Sequence, residues 1–437
     1  MNYPLLLKIR LLHLIHAMAD DPSPFVRNPL KDFSRVRKLP FESMIRLLLS
    51  FQAASVNNEL LSFFHFSPVC PKASAFNQQR SKILPDAFAF LFFKFNQMVS
   101  SPNSYRGYQL LACDGSDLSI PHNPFDSNNY FKHPSAKKGF NLLHLDALYD
   151  LCNRRYVDAI IQSGKNNSEC RALTEMVDRF PSSGKTIFIA DRGYECYNVF
   201  AHIQQNDSYY LIRVRDQSNR SITSSLNQLP DSNEFDIPVS LLLTRKASKD
   251  IKNNSHIYKY LSQSAPFDYL DLKEHPFYPL SFRVVRFPIS EDTYECVITN
   301  LPKEDFPASE LKKIYAMRWG IETSFRELKY TIGLSNYHAK KAEYIKQEIY
   351  ARLILYNFCE LITTHVVIKQ KETKYLYQLN YTTAVYICRN FLKSELDTAP
   401  PDVEALIAQY LYPIRPGRHF PHNVSHKTSV SFLYRAV

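Results

Sequence analysis

The sequence predicts a mixed α/β protein: one sheet flanked by helices, with further helices at both ends of the chain. Three observations carry this. Residues 105–214 read as three strands followed by alternating helix and strand, the order of a mixed sheet. Residues 1–100 carry their apolar side chains at helical spacing. Residues 215–300 return to short strands before helical periodicity resumes at 305.

Taken in order, Phe41–Phe51, Glu59–Phe66 and Ser74–Ile83 are predicted helices, with Asn57 and Asn58 as cap candidates. Residues 1–100 hold 12 Lys and Arg against 6 Asp and Glu. Short helices with a polar, basic third member suit a helix-turn-helix DNA reader, or equally a bundle packed on the next unit. Gln109–Cys113 reads as a buried strand, and Asn141–Leu148 and Arg154–Ile161 as two more. Asn166 to Glu169 resembles a capping box opening a helix to about Phe180. Thr186–Ala190 is a short buried strand, followed by a helix to about Gln205 and a strand at Tyr209–Val214. Between 215 and 300, strands are expected at Tyr258–Leu261, Leu280–Phe287 and Tyr294–Thr299, and Arg215–Asn254 reads as irregular. A helix covers 305–330, with Asp305, Pro307 and Ser309 as start signals. Helices at about 341–367, 379–393 and 402–412 precede a basic tail. The domains expected are 1–100, 101–214, 215–300, 301–367 and 368–437.

The 437 residues are 45% hydrophobic and 22% charged, in the range of a soluble globular chain. A net charge of +11 suits a polyanion such as DNA. No segment reaches about 18 consecutive apolar residues, so no membrane span is expected. The N-terminus has no basic leader before its short apolar run and does not read as a signal peptide. Eight scattered Cys with no CxxC pair fit reduced thiols of a cytoplasm.

Asp114 and Asp191 each close a predicted buried strand, where side chains leave the core for a crevice. Each also has a structural alternative: Asp114 as a turn residue before Gly115, Asp191 as a helix cap. Asp117 lies close to Asp114, which is preferred because it directly follows the strand. On the 305–330 helix, Tyr315, Arg318, Glu322 and Lys329 fall within about a 60° stripe bordering the apolar face. An ordinary Arg318–Glu322 surface ion pair is the competing reading. Three of only nine glycines, Gly115, Gly193 and Gly320, stand within two residues of these acids, suggesting tight backbone there. Three carboxylates meet the needs of a two-metal phosphodiester site, because hard Mg²⁺ prefers carboxylate oxygen. His419, His422 and His426 lack companion ligands and read better as part of a basic tail.

At these residues the chain resembles the DDE transposases of bacterial insertion sequences. Asp114-Gly-Ser, Asp191-Arg-Gly-Tyr and the Tyr315/Arg318/Glu322/Lys329 spacing resemble the DDE motif and YREK signature of the "insertion sequence four" family, over roughly residues 30–412. The resemblance implies an RNase H-like catalytic core with a β-rich insertion, an N-terminal helical domain and C-terminal helices. It implies that Asp114, Asp191 and Glu322 hold two Mg²⁺ ions, which Mn²⁺ can replace. It implies that Tyr315, Arg318 and Lys329 grip terminal nucleotides, with Arg192 as a further phosphate contact. The expected activity is cut-and-paste transposition acting on terminal inverted repeats and target DNA, as a homodimer in the synaptic complex, in the bacterial cytoplasm at the nucleoid. In related enzymes a Trp of the insertion stacks on a flipped base; the single Trp here, Trp319, is on the predicted catalytic helix instead. A nuclease that cuts without joining and a non-catalytic DNA-binding descendant remain the rival readings.

Overall fold

The computed structural model describes the chain apart from residues 1, 36, 135–137, 182–183, 217–220, 227–228, 371–374, 397–400 and 416–437. The three tail histidines therefore lie outside the described residues. The chain opens with five helices: α1 (Tyr3–Asp20), α2 (Phe41–Ser50), α3 (Val56–Phe63), α4 (Ala73–Arg80) and α5 (Asp86–Gln97). The periodicity reading had not singled out α1 and α5. β1 (Gln109–Ile120), β2 (Tyr130–Phe131), β3 (Phe140–Asp150) and β4 (Arg155–Ser163) follow, then α6 (Glu169–Arg179), β5 (Thr186–Ala190), α7 (Tyr197–Gln205) and β6 (Tyr209–Val214). Next come β7 (Phe235–Thr244), α8 (Lys249–Asn253), β8 (Tyr258–Tyr260), β9 (Tyr278–Ser290) and β10 (Thr293–Thr299). The chain continues through α9 (Ala308–Met317), α10 (Trp319–Arg326), a π-helical turn (Glu327–Thr331), α11 (Ala342–Thr363), β11 (Tyr377–Leu379), α12 (Tyr381–Lys393), α13 (Val403–Ala408) and β12 (Leu411–Pro413).

Ten strands share one sheet, ordered β2-β3-β1-β5-β6-β10-β9-β7-β8, with β4 paired to β3. β1, β3 and β4 form an antiparallel meander, while β5 and β6 run parallel to β1 through helical crossovers. This is the strand arrangement of an RNase H-like core. The strands from Phe235 to Thr299 join it through the β10–β6 ladder and so extend the same sheet. β7 corrects the expectation of an irregular 215–254 stretch. Its Pro238 lacks an N–H, which is tolerated because β8 pairs only with Leu242–Thr244, leaving Pro238 on an open edge.

Side chains alternate across the sheet. Leu111 and Cys113 pack toward α6 and α7, while Leu110 and Ala112 face the side occupied by α9, α10 and α11. The 22-residue α11 is buried over most of its length, including several polar side chains. Truncating one of its core residues, such as Leu353, costs about 2–5 kcal/mol. Its polar residues are paired: Arg80 of α4 meets Glu348 at 2.9 Å and Gln347 at 3.0 Å, and Arg352 donates to the Phe51 and Gln52 carbonyls. The N-terminal helices therefore share a core with α11, and Arg80 points into that core. No helix among the described residues is long and apolar enough to cross a membrane.

Candidate active site

β1 runs seven residues beyond the Cys113 end expected from the sequence, so Asp114 lies within it and not at its end. Its parallel partner β5 pairs only with Gln109–Ala112 and then turns at Asp191. Beyond Ala112, β1 is therefore open on that side. The crevice comes from the end of β5, and Asp114 emerges two residues past it.

Asp114 shares the strand face of Leu110 and Ala112, toward α9 and α10. It accepts the Gly115 N–H at 2.9 Å. Its carboxyl is pushed up to about 7, first by burial and further by the charges of Asp191 and Glu322; Arg318 and the Gly115 N–H pull the other way. Asp191 and Glu322 are thus near enough for their charges to act on Asp114. Asp191 caps the 192–194 turn, accepting the Gly193 N–H at 2.8 Å. Asp191 thus caps this short turn and not the helix that follows, α7, whose N-cap is Cys196.

The predicted 305–330 helix is broken in two places. It starts at Ala308, with Pro307 as the N-cap. At Arg318 the hydrogen bonds tighten to i→i−3, from Arg318 N to Tyr315 O and from Ile321 N to Arg318 O, each 3.0 Å. Gly320 follows, where a Cβ would stand 3.0 Å from Leu151 Cδ2. The π-helical turn after Arg326, with Ile332 N bonded to Glu327 O at 2.9 Å, then re-aims Lys329. An ideal helix projection misses both features, yet the named side chains still converge. Arg318 Nη2 donates to Glu322 Oε1 at 2.5 Å, and Arg318 is only 5% exposed with its Nε unpartnered. The i,i+4 pair offered as the alternative does form, but with its arginine buried and not on a fully solvated face. Lys329 Nζ donates to Ser116 Oγ at 2.6 Å and to the Asp117 carbonyl at 3.1 Å, fixing the π-helical turn against β1.

Tyr315 is 3% exposed, with the Arg318 guanidinium 5.7 Å from its ring centroid, so here it braces Arg318. Trp319 is 61% exposed beside the same guanidinium. Arg192 is exposed on the Asp191 turn. Asp117 faces away from the three acids and holds His144 Nδ1 at 2.9 Å. Asp146 and Asp150, both on β3, are fully buried, and Asp150 accepts from Cys152 N and Asn153 N.

Sequence reasoning missed Ser116, the anchor of Lys329, whose only signal was its place two residues after Asp114. It also missed His144 and Glu169, which lie behind the site. Glu169 had been noted solely as a helix-start residue; the cap is Ser168, accepting Arg171 N at 3.3 Å, and not Asn166.

A family model described as "Transposase DDE domain" matches residues 105–358. The chain belongs to this family. It is a DNA transposase, of a family that cleaves DNA and transfers strands with divalent metal ions. The match covers β1 to the middle of α11 and so contains all three acids. No curated protein matches this chain. Among solved structures it is similar to a piggyBac transposase synaptic complex with hairpin DNA, determined by cryo-EM, at 10% identity and a TM-score of 0.48, covering 95% of this chain and 87% of that one.

Among the described residues, no three acid, imidazole or thiol groups enclose a ready-made ion cage. The residues still fit a hard cation. They offer oxygen ligands only, and Mg²⁺ commonly takes one or two carboxylates and completes its shell with water and substrate phosphate. A buried carboxyl repelled by two neighbours also gains from a cation between them.

Proposed function

We propose that this transposase is a member of the "insertion sequence four" family with a YREK signature, and that it moves its element by a cut-and-paste route. In this reading Asp114, Asp191 and Glu322 hold two Mg²⁺ ions. What supports it is that Asp114, on the open stretch of β1, feels the charges of Asp191 in the turn after β5 and of Glu322 on α10, which the buried Arg318 holds. Divalent cations, when bound, supply the Lewis acidity for in-line displacement at phosphorus. The protein's own residues do the positioning. Arg318 holds the Glu322 carboxylate in a fixed orientation and Tyr315 braces Arg318, so Tyr315 acts on DNA through its neighbour. Lys329 and Arg192 supply positive charge for the terminal phosphates. Two copies pair the two inverted-repeat ends and then engage target DNA.

The test is a strand-transfer assay with Mg²⁺ and duplexes carrying the repeats that border the gene. The reading predicts cleaved ends and joined products, with Mn²⁺ able to replace Mg²⁺. Cleavage without joining would overturn the cut-and-paste reading in favour of nuclease action alone. Loss of all activity on metal removal, restored by Mg²⁺, is the accompanying expectation.

A further inference from the structure

The α6 side of β1 holds a second cluster of ionisable groups that the cleavage chemistry leaves unused. Gly115 stands opposite Asp146, and Asp117 opposite His144, in the β1–β3 ladder. Cross-strand partners share a face, so all four lie on the side of the sheet away from Asp114. His144, 7% exposed, places Nδ1 2.9 Å from Asp117 and Nε2 3.4 Å from both Asp146 Oδ1 and Glu169 Oε1. Neither His144 Nε2 nor the fully buried Asp146 Oδ1 makes a hydrogen bond of normal length. Both are aimed at one spot beside the Glu169 carboxylate.

The start of α6 is pinned over that spot. Gln162 donates to Asp146 Oδ2 at 2.7 Å and to the Ser168 carbonyl at 3.2 Å, and it accepts the Ser168 N–H at 3.0 Å. Ser168 is the N-cap of α6 and Glu169 its first residue. The Glu169 carboxylate then reaches between two glycines. A Cβ on Gly115 would stand 2.6 Å from Glu169 Oε1, and one on Gly193 would stand 3.0 Å from Oε2. Gly115 directly follows Asp114, and Gly193 is the turn residue whose N–H Asp191 accepts. The two glycines are needed for this close approach, since neither has a positive φ.

We propose that Glu169 is a positioning residue of the catalytic centre: its carboxylate, held by His144, fills the gap between Gly115 and Gly193 and so sets the spacing of Asp114 and Asp191. The inference rests on the reading of Asp114, Asp191 and Glu322 as metal ligands. Groups that orient ligands from behind commonly govern metal affinity by about 10–100-fold.

The experiment is Mn²⁺ binding to the full-length protein, followed by the electron paramagnetic resonance signal of free Mn²⁺, with thermal unfolding and duplex-DNA binding measured alongside. Glu169→Ala is expected to weaken Mn²⁺ binding about 10–100-fold with DNA binding unchanged. Glu169→Gln keeps the shape of the wedge and is expected to lose less; it carries the test if the alanine variant does not fold. Gly115→Ala, which leaves every carboxylate in place, is expected to weaken Mn²⁺ binding by crowding Glu169. If Glu169→Ala and Glu169→Gln bind Mn²⁺ as the natural protein does while Asp114→Ala does not bind it, the positioning role is overturned and the three-acid reading stands. If Asp114→Ala also binds Mn²⁺ normally, the three-acid reading itself falls.

Discussion

Two buried carboxylates, Glu348 and Asp114, show how differently one chain treats the same chemical group. Glu348 on α11 is surrounded by donors: Arg80 at 2.9 Å and the His338 N–H at 3.0 and 3.1 Å. Burial alone would raise its carboxyl, but Arg80, His338 and Arg352 bring it down to about 2. Asp114 is also mostly buried, yet one backbone N–H and Arg318 face it against two other acids, and its carboxyl rises to about 7. The first site is satisfied by the protein itself and welds the N-terminal helices to the core. The second is left short of positive charge, as expected where a ligand must supply it. A raised carboxyl alone does not mark a site: Glu360 also rises to about 7, but fully buried in the last turn of α11 and paired with Arg154 at 3.1 Å. The crevice past the end of β5 makes the difference.

The largest effect that could break this contrast is on catalysis. Asp114→Ala, Asp191→Ala and Glu322→Ala should each lower cleavage by at least about 10³-fold while DNA binding persists. Glu348→Ala should do the reverse. Breaking a buried, hydrogen-bonded ion pair should cost about 3–5 kcal/mol of stability, read by denaturant unfolding, with cleavage per folded molecule little changed. A normal unfolding midpoint for Glu348→Ala would show that the satisfied pair is not a weld. Lys329→Ala should weaken binding to transposon-end duplex and make its salt dependence shallower by about one ion; an unchanged slope would confine Lys329 to its Ser116 contact.

The smallest effect is on metal-free stability. The folded-state carboxyl of Asp114 lies above its ordinary value of 3.8, so its contribution favours folding at low pH and is lost as pH rises through about 7. Metal-free Asp114→Asn should therefore melt a few degrees above the natural protein at pH 8, and the gap should close near pH 4. Divalent cation should narrow the gap at pH 8 by stabilising the natural protein. An equal melting temperature at both pH values would show that Asp114 carries no strain.

Much of this centre was legible in the sequence. The Tyr315/Arg318/Glu322/Lys329 spacing spans a break at Arg318 and a π-helical turn, and still leaves Tyr315 and Glu322 on Arg318 and Lys329 on β1. Asp191 was legible because β5 is a short, wholly buried strand that stops abruptly. The length of β1 was not, since strand periodicity cannot say where the neighbouring strand ends. β7 was missed because an edge strand can carry Pro238 and polar residues that read as loop. The glycine signal was real but misassigned: Gly115 and Gly193 make room for Glu169, a contact between residues far apart in sequence that no local pattern reveals. The buried Arg80 was likewise indistinguishable from a surface arginine until α11 was seen beside it.

The most direct test of the central claim needs no knowledge of the transposon ends. Fe²⁺ bound in place of Mg²⁺, with ascorbate and peroxide, generates hydroxyl radicals that cut the polypeptide next to the metal. Three acids acting as one centre predict cuts near residues 114, 191 and 322, all three suppressed by excess Mg²⁺ and all three lost together in Asp114→Ala. Cuts at only one of these segments, or cuts that persist in Asp114→Ala, would contradict it.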